Sequence, residues 1–153
     1  MESKATHEQA KLQLELYDIR REAKLREARD WFMKNYFVDS FEDAMKIGGP
    51  GTPTGTNAFM VMSYWDMVCS YLNHGLLHED LFFESNGEFF MVWERAKGMA
   101  KGFREQFGAK HFLANMEAAA GRYETWMEKR SPGHIAKMRE FMKQMRGQAA
   151  KVA

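Results

Sequence analysis

Residues 57–93, NAFMVMSYWDMVCSYLNHGLLHEDLFFESNGEFFMVW, hold the densest apolar run in the chain, and the fold is organised around them. The first half carries Phe59, Met60, Val61, Met62, Tyr64, Trp65, Met67, Val68, Cys69, Tyr71 and Leu72, with only Ser63, Asp66, Ser70 and Asn73 as polar positions. A helix that is apolar around most of its circumference must be covered by protein on most sides. The run is shorter than the ~20 residues a bilayer crossing needs, so it predicts a central core helix and no transmembrane segment. Asn73-His74-Gly75 ends it, because glycine suits the left-handed position after a helix. A short helix around residues 76–83 and a tight turn at Ser85-Asn86-Gly87 follow.

Outward from this stretch, the composition fits one all-α domain covering residues 1–153, a bundle of five or six helices with residues 1–10 and 147–153 frayed. Val and Ile are scarce, and no segment alternates apolar and polar residues as a half-buried strand does. At 153 residues and 45% hydrophobic, the chain can build one sizeable core. Lys plus Arg number 22 against 21 Asp plus Glu, so the net charge of +1 gives no field for a polyanion, and nucleic acid is disfavoured as a partner. The single Cys69 cannot form an intrachain disulfide, and MESKATHEQAKL lacks a secretory pattern, which predicts a cytoplasmic protein.

On the N-terminal side, residues 4–36 read as one long helix with Leu12, Leu16, Ile19, Ala23, Leu25, Ala28, Trp31 and Phe32 on one face. Its outer face mixes signs and offers pairs such as Glu22 with Arg26. Such a helix would be ~45 Å long by its rise per residue, longer than a globule of this size, so its first half is expected to overhang. Leu12, Leu16 and Ile19 would then pack on the C-terminal helix or on a second copy, predicting a homodimer. Ser40 can cap a short helix, FEDAMKI. GGPGTPTGT, residues 48–56, reads as a connector ahead of Thr56 or Asn57 as the central helix's cap; the Lys and Ser/Thr that a P-loop needs do not follow it.

On the C-terminal side, three further helices are expected, at residues 87–106, at 110–129, and after Ser131-Pro132 as an N-cap with proline in the first helical position. Gly98 and Gly102, four apart, mark a close crossing. From residue 129 to 153 there are seven basic residues and one acidic, a local balance of +6. Lys137, Arg139, Lys143 and Arg146 could meet a protein partner, while the plainer reading docks the helix through Ile135, Met138, Met142 and Met145.

Chemistry-bearing groups are sparse. His74, His78, Asp66 and Glu79 crowd into the central stretch as candidate metal ligands, but Gly75 separates the histidines, no HExxH or paired Glu-x-x-His pattern exists, and no metal or cofactor is expected. Cys69 reads as an inert core thiol. Asp66, a carboxylate in an apolar helix, should be exposed or paired, with Arg95 and Arg104 as the partners to check. Thirteen methionines and twelve phenylalanines leave room for an adaptable apolar pocket.

Tyr64-Trp65-Asp66-Met67-Val68, then Gly75, Glu79-Asp80-Leu81-Phe82 and Trp93, resemble a group of small bacterial helical proteins catalogued as a domain of unknown function. The resemblance covers about residues 10–110 and implies a helical scaffold without assigned catalytic residues. Members of the group often carry an N-terminal membrane anchor, and membrane association is not carried over to this chain. The leading expectation is a self-associating interaction or scaffold module; the alternative is a sensor built on the central stretch that binds a small molecule or metal in an apolar Met/Phe-rich pocket. An enzyme comes third.

Overall fold

The computed structural model describes residues 3–152. Among them are eight α-helices and no strand, so the class is all-α and the count exceeds the five or six expected. They are α1 (His7–Arg20), α2 (Ala23–Asn35), α3 (Phe41–Gly48), α4 (Pro53–Asn73), α5 (Glu79–Ser85), α6 (Glu88–Phe107), α7 (Ala114–Arg130) and α8 (His134–Val152). The frayed ends expected at 1–10 and 147–153 fall partly on residues 1, 2 and 153, which lie outside the described residues. Within them, α1 starts under a Thr6–Gln9 capping box and α8 stays helical to Val152.

The central stretch supplies the central helix. On α4, Ala58, Val61, Met62, Tyr64, Trp65, Val68, Cys69 and Leu72 are buried, and α2 and α7 flank it most extensively, with α3 and α6 also against it. Fully burying a large apolar side chain stabilises by about 1.5–3 kcal/mol, so this helix is the natural nucleus of the core. Phe82 and Phe83 of α5, Phe89 and Phe90 of α6, and Tyr123 and Trp126 of α7 continue that core as one aromatic cluster with ring centroids 5.2–6.1 Å apart. No helix among the described residues is long and apolar enough to cross a membrane.

The expected long first helix is two helices. The chain breaks at Arg21 and Glu22, where Glu22 turns extended and its carboxylate accepts the Leu25 N–H at 3.0 Å. Glu22 is therefore a cap and not the partner of Arg26. Arg20 and Arg29 both reach Glu88 in the first turn of α6, Arg29 through Nε and Nη2 at 3.0 and 2.8 Å, which fixes the corner. The break folds α1 back onto the bundle in place of an overhang. Tyr64 Oη donates to the Leu16 carbonyl at 2.6 Å, and Gln13 donates to Ser85 at 2.8 Å.

Other boundaries shift for local reasons. The helix α4 begins at Pro53, capped by Thr52, whose hydroxyl accepts the Gly55 N–H, so half of the expected glycine-rich connector is helical. Threonine followed by proline at the first helical position outweighs the glycines. The last helix begins at His134, because Gly133 takes a φ of +83° and gives its N–H to the Glu128 carboxylate; Ser131-Pro132 forms a turn. The expected crossing at Gly98 is real: a Cβ there would lie 2.2 Å from the Asp39 carbonyl oxygen. The segment 36–41 is thereby strapped across α6.

Candidate apolar binding site

Beneath that strap, α3, the start of α4 and the end of α6 enclose a hollow of about 710 Å³. Each wall has a sequence reason. Ser40 caps α3 by accepting the Asp43 N–H at 3.1 Å, and this short helix presents Phe41, Ala44 and Met45. A Cβ on Gly55 would sit 2.1 Å from the Gly49 carbonyl oxygen, so the start of α4 can approach the turn after α3 only with glycine there. Gly108 ends α6 in the left-handed conformation, leaving Phe103 and Phe107 on its last turns.

Aromatic edges make the floor. Phe103 lies 4.3 Å from Phe112 and 4.8 Å from Phe107 between ring centroids, and Phe41 lies 5.9 Å from both Phe103 and Phe107. Met62 and Met99 are buried in the lining, whereas Phe59 and Phe107 are 61% and 58% exposed. No charged side chain lines the hollow. Tyr36, stacked on Phe32 at 4.5 Å and 2% exposed, is among its lining residues, and burial pushes its phenol well up from the ordinary value. An apolar concavity with few polar groups is the usual form of a small-molecule site.

The residues singled out by sequence lie elsewhere and do not converge. Asp66 does not pair with Arg95 or Arg104; its Oδ1 accepts the Met116 N–H at 2.9 Å. Since α7 starts at Leu113 with a φ of 55° and no side-chain cap of its own, Asp66 caps that helix from a distance of 50 positions in sequence. Arg104 instead donates to the Phe112 carbonyl at 2.8 Å and pairs with Glu117. His74 ends α4, exposed. His78 caps α5, its Nδ1 accepting the Leu81 N–H while Nε2 meets the Ser3 carbonyl. Glu79 is held by Arg122 at 2.9 Å.

His78 and Glu79 line an open polar cleft of about 820 Å³ with Arg122, Trp126 and Arg130, where Trp126 Nε1 donates to Asp80 at 2.7 Å. Among the described residues no group of three or more His, Cys, Asp or Glu side chains is placed to hold a metal. Cys69 is fully buried, and burial together with the nearby Asp66 carboxylate pushes its thiol up, away from reactivity.

Of the proposed interaction residues, Leu16 is buried in the chain's own core, Leu12 is half-buried and Ile19 is 53% exposed. On α8, Ile135 is buried and Met138 is half-buried. Arg139 reaches Glu94 and Glu124 at 2.7 and 2.8 Å, and Arg146 reaches both oxygens of Asp39. Lys137 and Lys143 stay exposed with no ion pair among the described residues.

Sequence reasoning assigned Tyr36 to the end of a helix and did not group Phe41, Phe103, Phe107 and Phe112. The one available signal was the excess of phenylalanine and methionine, which suggested a pocket on the central stretch; the hollow takes Ala58, Phe59 and Met62 from that stretch and most of its wall from outside it.

No curated protein and no solved structure matches the chain. The sequence model of a family described as Domain of unknown function (DUF4760) matches residues 5–123, which take in α1 to α6 and most of α7. The match covers well over half of the chain, and this helical protein belongs to the DUF4760 family.

Proposed function

We propose that this module acts by binding, and that its binding surface is the hollow between α3, α4 and α6, which takes a neutral, apolar small molecule. The observation that carries this is a lining with no charged side chain, built largely of Phe41, Phe103, Phe107 and Phe112 and open at Phe59 and Phe107. A volume of about 710 Å³ suits a drug-sized molecule, and a charged ligand would lose its hydration there without a counter-ion. The test is titration with a neutral solvatochromic dye such as Nile red. Saturable binding with one site per chain, lost in Ala44→Phe, which fills the hollow from its buried wall, supports the reading. Unsaturable binding, or binding unchanged in a folded Ala44→Phe, overturns it.

A second reading is a homodimer through α1, favoured by Leu14 and Ile19 standing 69% and 53% exposed on that helix. Light scattering that gives a dimer, reduced to monomer by Ile19→Lys, supports it; a monomer at all concentrations sinks it. The continuous core running from Leu16 to Ile135 supports treating residues 1–153 as one domain, and a free buried Cys69 fits a cytoplasmic setting.

A further inference from the structure

On the other side of the 36–41 strap lies a smaller cavity of about 340 Å³, and one of its lining residues is Arg95. Arg95 is the one charged residue buried within the described core, at 6% exposure. Its Nη1 donates to the carbonyls of Phe32 and Met33 at 3.0 and 2.7 Å, closing the C-terminal end of α2. Its Nε and Nη2 are shut from solvent and donate to nothing. No carboxylate pairs with it, and the Phe37 ring lies 4.4 Å from the guanidinium. A buried cation without a counter-ion is costly to keep. Burial accordingly lowers its pKa to about 10, which still leaves it charged at neutral pH.

The geometry of the idle donors is informative. Nε and Nη2 form the side of the guanidinium that grips an oxyanion with two parallel bonds. Arg29 uses this pair on Glu88 at 3.0 and 2.8 Å, and Arg139 uses it on Glu94 at 3.2 and 2.7 Å. Arg20 Nε and Arg104 Nη2 are also buried without an acceptor, but each of those guanidinium groups has a carboxylate on its Nη1, Glu88 and Glu117 respectively. At Arg95 the fork is vacant. Lys97, Arg139, Lys143 and Arg146 surround the same cavity. Its two carboxylates are already engaged, Asp39 by Arg146 and Glu94 by Arg139 and Lys97.

We propose that this cavity is an oxyanion site, in which the Arg95 fork holds a phosphate or carboxylate group and Lys143 closes the rim. The site is separate from the apolar hollow and does not depend on it. Because both idle donors are shut from solvent, entry requires side chains of the cavity wall to move aside.

The test uses the full chain with inorganic phosphate and, in a parallel arm, acetate, at ionic strength held constant with potassium chloride. Calorimetric titration should give saturable binding with one site per chain, accompanied by a rise in melting temperature, and the tighter arm identifies the group. Arg95→Met should abolish it. Because Arg95 also holds the end of α2, Lys143→Ala serves as the variant that leaves the fold alone, with binding weakened about fivefold through loss of one rim charge. An equal rise in melting temperature from chloride alone overturns the proposal. So does phosphate and acetate binding that is unchanged in both variants.

Discussion

The polar cleft beside α5 and the apolar hollow beside α3 are similar in size, about 820 and 710 Å³, and opposite in what they leave free. In the cleft, Glu79 is held by Arg122, Asp80 by the Trp126 indole, and His78 by the Leu81 N–H and the Ser3 carbonyl. Those groups join α5 to α7 and to the chain's beginning, and their charges are matched inside the molecule. In the hollow, Phe59 and Phe107 remain open to water and no charged side chain lines the wall. Titratable residues crowded in sequence are therefore a poor guide to free chemistry here. Uncovered apolar surface around a concavity is the better one.

The strap that carries Tyr36 and Phe41 to the hollow is where the contrast can be broken most forcefully. Gly98→Ala would place a methyl group 2.2 Å from the Asp39 carbonyl oxygen and 2.8 Å from its carbon, and backbone cannot rotate aside as a side-chain tip can. Either the strap lifts or α6 shifts, and the expected loss of stability is about 3 kcal/mol by the usual cost of overpacking. Chemical denaturation measures it. Dye binding in the hollow should fall with it, while the Trp126–Asp80 bond across the cleft persists. A loss under about 1 kcal/mol with dye binding intact would mean that the strap does not set the hollow's shape.

The cleft side has its own weak point at the start of α7, the helix that carries Arg122 and Trp126. Leu113 enters that helix in the left-handed region and supplies no cap, so the Met116 N–H depends on Asp66 across the bundle. Asp66→Ala should cost about 1.5 kcal/mol, the size of a lost helix cap. Asp66→Asn, which retains an acceptor oxygen, should cost less. Hydrogen exchange sharpens the point: the amide of Met116 should exchange faster in Asp66→Ala while the hollow's dye affinity stays unchanged. If the hollow loosens equally, the two regions are not independent.

How much of this was legible in the sequence follows from whether the cause was local. The central helix, its stop at Gly75 and the run of α6 up to Gly108 rest on apolar runs and on glycines within the same segment, and they read correctly. The break between α1 and α2 did not, because residues 20–29 are good helix formers throughout. It depends on the Glu22 carboxylate turning to cap Leu25 and on Glu88, far along the chain, drawing in Arg20 and Arg29. The start of α4 is a local signal, threonine as N-cap with proline in the first turn, and it lies inside a segment whose four glycines otherwise favour a connector. The hollow draws Tyr36, Phe41, Phe59 and Phe103 from four different segments, so no spacing rule could assemble it. Arg95 was visible on the apolar face with Val92, Ala96 and Met99, where a charge is worth explaining.

The smallest effect on stability is expected at the mouth of the hollow, and it is the most discriminating. Phe59 is 61% exposed on α4, so its ring contributes little to the core, and Phe59→Ser should leave stability within about 0.5 kcal/mol of the parent. A core residue of the same size would cost about 3–5 kcal/mol on truncation to alanine. A ring retained at such a position should matter for what enters the hollow, so Nile red affinity should drop several-fold in Phe59→Ser while the melting temperature hardly moves. The same substitution also removes an exposed apolar group, and unchanged dye affinity with improved solubility would leave Phe59 as ordinary surface and return the hollow to the status of the cleft.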